Sequence, residues 1–209
     1  MNIEVKSSVK PIDYLQSIKI LEKRVHDVFL GKKDELLWVL EHNSVCTAGT
    51  SANKKDLLDK NLPVIKTNRG GKYTLHSPGQ KVVYFVLNLN KRERDIRKLI
   101  SKIENCIIQT LKEYKIESYN DSKNIGIWVN KQKNSKKIAA IGIRVKKWVA
   151  YHGFSLNVCN DLSKYKGIIP CGIRDRGITS LKDMGVKNYR NIEEVIIKKF
   201  LSTFLWECF

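Results

Sequence analysis

An α+β fold, a mixed β-sheet flanked by helices, is what this sequence predicts, and three observations predict it. Apolar runs of strand length recur along the chain, and helical patterns interrupt them without strict alternation. Neither an internal repeat nor a Pro/Gly/Ser-rich linker divides the 209 residues. That length suits one well-cored domain, expected over residues 1–209.

The elements follow in order. A short strand opens the chain. Pro11 stands where a helix can begin, and Tyr14, Leu15, Ile18, Leu21, Val25, Val28 and Phe29 recur at helical spacing up to Gly31. Glu35 to Glu41 reads as a strand, Cys46 to Thr50 as a loop, and Leu62 to Thr67 as a second strand. A glycine-rich connection leads to a strand from Lys81 to Leu89. Ile96, Leu99, Ile100, Ile103, Ile107 and Leu111 share one helical face. Strands at Gly126 to Asn130 and Ile138 to Arg144 flank the polar stretch Lys131 to Ser135, which is hairpin chemistry. Val149 to Val158 and Gly177 to Leu181 complete the strands. Asn191 with Glu194 has capping-box form and opens a last helix through Phe200 to Leu205.

Composition narrows the function classes. No stretch approaches the ~18 apolar residues of a membrane span, and the N-terminus lacks the apolar core of a secretory signal. Five cysteines, odd in number and without a Cys-x-x-Cys, argue against a disulfide framework or a zinc site and fit a reducing cytoplasm. The formal charge is +18. Only nine of the 39 basic residues are Arg, and the positives are dispersed rather than gathered into one arm. An acidic protein partner accounts for that charge at least as well as nucleic acid does.

Chemistry concentrates in a few segments. Cys171 sits in Ile169-Pro170-Cys171-Gly172-Ile173, and Lys137 in Lys137-Ile138-Ala139-Ala140-Ile141-Gly142. At a free pKa of ~8.5 a thiol is mostly protonated at neutral pH, so a catalytic Cys needs a cation or base beside it. Lysine can serve if the fold brings the two together. Arg69 to Gln80 carries two adjacent glycines that let a backbone approach a ligand closely, but it is no Walker loop. His152-Gly153 offers a base. Each segment also fits an ordinary role: Cys171 as a buried thiol, Lys137 beside Lys136 as a solvated surface residue, His152 as a packed strand residue, Arg69 to Gln80 as a β-connection.

Taken together and in this order, the motifs resemble the octanoyltransferases of lipoate biosynthesis, the lipoyl(octanoyl) transferases, which share a fold with lipoate and biotin protein ligases. The resemblance is strongest over residues 30–185. It rests on Arg69-Gly70-Gly71-x-x-Thr74-x-His76-x-Pro78-Gly79-Gln80, on Lys137-Ile138-x-x-Ile141-Gly142 with Arg144, on His152-Gly153-x-x-Leu156-Asn157-Val158 with Asp161-Leu162, and on Ile169-Pro170-Cys171-Gly172. Ser77, where the family usually has glycine, and Leu75, where it commonly has tyrosine, depart from the pattern.

The resemblance implies a biotin/lipoate protein ligase-like catalytic domain in which Cys171 carries the acyl group as a thioester. Lys137 would lower the pKa of that thiol and act as general base. Arg69, Gly70, Gly71, Lys72, Tyr73, Thr74, Leu75 and His76 would bind substrate with Ala140, Ile141, Gly142, Gly153, Phe154 and Ser155, and His152 is a candidate for support. Ile138, Ile141, Phe154 and Leu156 are plausible lining for an acyl tunnel. The implied reaction moves an octanoyl group from acyl carrier protein, where phosphopantetheine holds it, to a lysine of lipoyl domains of 2-oxoacid dehydrogenase complexes or of the glycine cleavage H protein. It implies no ATP, metal, nucleic acid or membrane, and a cytoplasmic monomer. The competing readings are an ATP-dependent lipoate ligase and a basic nucleic-acid-binding module.

Overall fold

The structure, a computed structural model, describes residues 2–131, 134–172 and 176–205, and of Cys171 the backbone only. Eleven strands and three α-helices are assigned among these residues. Strands β1 (Ile3–Ser7), β2 (Glu35–Leu40), β6 (Gln80–Asn88), β7 (Tyr119–Asn120), β8 (Ile127–Lys131), β9 (Asn134–Lys146) and β10 (Val149–Asn157) form the main sheet, in the order β1-β2-β6-β10-β9-β8-β7. The short β11 (Gly177–Ile178) lies parallel against β9. Since β1 pairs parallel with β2 and the others along the row pair antiparallel, the sheet is mixed, as expected.

Helices cover both faces, and the central strands read accordingly as continuous apolar runs. In β6, Val82, Tyr84 and Val86 pack with Leu21, Val25 and Val28 of α1 (Tyr14–Phe29). The intervening Val83, Phe85 and Leu87 pack with α2 (Ile96–Lys112) and α3 (Ile192–Leu205). The period-2 geometry of a strand makes this division. Phe85 meets Phe200 at a ring separation of 5.8 Å. Burying each such side chain is worth ~1.5–3 kcal/mol relative to exposure. The helices start where side chains can accept their free N–H groups: Asp13 accepts from Gln16, and Asp95 from Arg97 and Lys98. No helix among the described residues is long and apolar enough to cross a membrane.

A second sheet of three strands, β4 (Val64–Lys66), β3 (Val45–Ala48) and β5 (Tyr73–His76), corrects the sequence reading. The stretch Cys46 to Thr50 is mostly strand rather than loop, and β5 lies inside the connection Arg69 to Gln80. The expected strand Leu62 to Thr67 shortens to β4. These strands have three or four residues each, too few to show alternation, and turn residues such as Ser44 and Gly49 crowd them. In α1, Leu15 and Phe29 fall off the buried face. Two residues of the expected hairpin turn, 132 and 133, lie outside the described residues.

Candidate functional site

The site lies where the small sheet abuts β9 and β10. Arg69 shapes the loop that joins them. Its buried guanidinium donates to the carbonyls of Thr47, Gly70 and Lys72 and to the Thr47 hydroxyl, at 2.8–2.9 Å. Four acceptors around one fixed fork hold the loop of residues 69–72 in shape. Gly70 N–H then donates to the Ile143 carbonyl of β9 at 3.1 Å. A Cβ on Gly70 would come within 2.9 Å of that same oxygen, so the close approach requires glycine. Gly71, at φ +86°, requires it for its backbone conformation.

Beneath this loop, β9 and β10 run antiparallel with Ala140 opposite Ser155, Ile141 opposite Phe154, and Gly142 opposite Gly153. Two segments thirteen residues apart in sequence thus become three successive cross-strand pairs. With Thr74 and His76 of β5 they line a cavity of about 50 Å³. A larger cleft of about 530 Å³ is lined by Gly70, by Ile96 and Ile100 of α2, by Ile125, and by Lys137 and Gly172. Gly71, Lys72, Ile141 and Gly142 belong to the walls of both.

Lys137 is buried, at 3% exposure, and not the solvated residue that its charged neighbours suggest. Its Nζ donates to the Ile125 carbonyl at 2.9 Å and stands 4.7 Å from the centre of the Trp128 ring. Trp128 is its partner across the β8–β9 ladder. Cys171 sits in a one-turn 3-10 helix, Pro170–Gly172, held by Ile169 N–H donating to the Asp56 carbonyl at 2.7 Å and by a bridge between Ile168 and Leu57. Gly172, at φ +69°, turns the chain immediately after it. The Cys171 side chain lies outside what the structure describes. The Lys137 side chain and the Gly172 backbone beside Cys171 nevertheless line one cleft.

His76 and His152 are buried and neutral. His76 Nδ1 lies 2.7 Å from Gln80 Oε1, whose amide also ties Leu75, Asn157 and Tyr165. His152 Nε2 lies 2.7 Å from Asn68 Oδ1, and its Nδ1 has no partner among the described residues. Burial pushes both imidazoles down to about 3, helped at His76 by His42 and at His152 by Arg69 and Arg144. So weak a base is poorly matched to proton abstraction at neutral pH, and both rings shape the pocket instead.

Other expected residues distribute unevenly. Tyr73 lines the small cavity, whereas Leu75 packs into the small-sheet cluster with Cys46 and Tyr165. Ile138 and Leu156, expected in the acyl tunnel, are fully buried in the main core and line neither cavity. Ile141 and Phe154 do line it. Sequence reasoning missed Ile96 and Ile100 as cleft walls, because helical spacing assigned them to the core face. It also missed Asn68, Ile125 and Trp128, whose roles depend on loop and cross-strand placement.

The pattern of the lipoyl protein ligase A/B catalytic domain matches residues 13–204. The chain belongs to that family. Its curated relatives include the octanoyltransferase of Ehrlichia chaffeensis, 46% identical over 205 residues, covering 97% of this chain and 96% of the relative. The octanoyltransferase of Anaplasma phagocytophilum is 45% identical over 207 residues, covering 98% and 100%. Among solved structures, a putative lipoate protein ligase from T. acidophilum with bound lipoic acid matches with a TM-score of 0.77 at 16% identity, over 98% of this chain and 87% of that one. A lipoate-protein ligase A bound with ATP also gives 0.77 at 16% identity, over 98% and 86%. At such identity the structures establish the family fold alone.

Proposed function

We propose that this chain is an octanoyltransferase of protein lipoylation, an acyltransferase that works through a Cys171 thioester. The observation that carries the mechanism is the single cleft lined both by the Lys137 side chain and by Gly172 of the Cys171 turn, which shares wall residues with the small pocket over β9 and β10.

The donor is an octanoyl thioester on the phosphopantetheine of acyl carrier protein. Cys171 thiolate attacks its carbonyl, the donor C–S bond breaks, and the leaving sulfur takes a proton from the Lys137 ammonium. An acyl-enzyme and a neutral Lys137 remain. The acceptor, a lysine amine of a lipoyl domain such as that of a 2-oxoacid dehydrogenase or the H protein, attacks the new thioester. Lys137 takes the proton this amine sheds, the amide forms, and the thiolate with its ammonium is restored. Protons and charge close over the cycle. Thioester to amide is downhill, so the reaction requires neither ATP nor a metal. The acyl chain lies against Ile141 and Phe154. The reaction belongs in the cytoplasm, and one copy of the chain holds every group it uses.

Mass spectrometry after incubation with octanoyl carrier protein, without ATP, tests this. Wild type gains one octanoyl adduct on Cys171, and Cys171→Ser gains none. An adduct of normal amount on another residue, or formation only when ATP and free octanoate are supplied, overturns the assignment.

A further inference from the structure

We propose that Arg176 is a positioning residue for acyl transfer, acting on Lys137 through Trp128 and the loop of residues 121–125. The inference rests on the reaction proposed above, in which Lys137 handles the protons. Among the described residues the Lys137 ammonium has two supports, the Ile125 carbonyl and the face of Trp128. Arg176 fixes the parts that carry both. Its guanidinium carbon stands 4.7 Å from the centre of the Trp128 ring, and its Nη1 donates to Asp121 Oδ2 at 2.6 Å. Asp121 accepts in turn from the Lys123 N–H at 2.9 Å and the Asn124 side chain at 3.0 Å, which closes the loop ahead of Ile125. Trp128 Nε1 donates to the Asn124 carbonyl at 2.9 Å, so ring and loop form one unit.

The connectivity gives this unit its purpose. Arg176 directly precedes β11, whose Gly177 and Ile178 pair with Lys136 and Lys137. Five residues beyond Cys171 in sequence, Arg176 thus clasps the support of the amine, and the two residues after it pair with β9 beside Lys137. Arginine suits the task because a planar guanidinium stacks on an indole while donating in its own plane to a carboxylate. A lysine keeps the charge and loses that pairing of contacts.

Single-turnover formation of the octanoyl adduct tests the idea, with wild type, Arg176→Met, Arg176→Lys, Asp121→Asn and the double variant Arg176→Met/Asp121→Asn. Misplacing a reacting group by about an ångström costs up to roughly a hundredfold in rate, so Arg176→Met is expected to be slower by roughly ten- to a hundredfold. Donor concentration at half-saturation stays at the wild-type value. Arg176→Lys recovers part of the rate, and Asp121→Asn resembles Arg176→Met. The double variant is no slower than Arg176→Met, because both act through one unit. A wild-type rate in Arg176→Met, losses that simply add, or rates that track the melting temperature across the series each overturn the proposal. If wild type itself forms no adduct, the reaction fails and this inference with it. A wild-type adduct formed no faster than that of Arg176→Met refutes Arg176 alone.

Discussion

Three of the four histidines lie buried in a chain of rings, His76 to His42 at 5.6 Å, His42 to Tyr84 at 5.7 Å and Tyr84 to His152 at 6.3 Å. Burial is the largest cause holding all three below the ordinary imidazole value. The unfolded chain protonates them near ~6.5, whereas the folded chain keeps His76 and His152 neutral down to about 3. The unfolded state therefore binds more protons in that interval. Stability is at its full value above ~6.5 and falls as pH drops towards the folded values, by about 1.4 kcal/mol per pH unit for each of His76 and His152. Urea midpoints measured from pH 7 to pH 5 should fall steadily, and less steeply in His152→Asn. A flat series would contradict the buried neutral rings. At this scale the sequence was half legible. Residue type and order pointed to Lys137 and Cys171, but the burial of Lys137 depends on Trp128 across the ladder and on a loop carbonyl, neither of which spacing reveals.

The long elements were readable because periodicity accumulates over length. Helices α1, α2 and α3 and strands β2, β6 and β10 stand within a residue or three of their expected limits. Strands β3 and β5 were not, being four residues each and set among turn formers, yet they position the Arg69 loop. Strand β10 also carries a feature that no pattern announces. His152 takes φ +67° within the strand, and a Cβ on the next residue, Gly153, would fall 1.9 Å from the Val83 carbonyl of β6. A backbone atom in a central strand cannot step aside as a side chain can. Gly153→Ala should therefore cost at least ~1–3 kcal/mol, the range for overpacking a core, read as a lowered urea or thermal midpoint. A variant with the wild-type midpoint would show that the strand yields freely.

For the molecule as a whole, the formal charge of +18 sets the long-range behaviour. If both macromolecular substrates are acidic, the field speeds their arrival and leaves the chemistry alone. Raising ionic strength from ~0.05 to ~0.5 M, which shortens the screening length severalfold, should lower kcat/KM for octanoyl carrier protein while kcat holds. An uncharged small octanoyl thioester should show no such loss, and an equal loss for both donors would remove steering from the account. The shared wall between the two cavities has a further consequence on the proposed reaction. Gly71, Lys72, Ile141 and Gly142 line both spaces, so a side chain enlarged at any of them narrows the room for the acyl chain and the room before Lys137 together. Turnover as proposed is an exchange in two visits for a chemical reason: the donor sulfur leaves as the acyl-enzyme forms, and the acceptor amine attacks only afterwards.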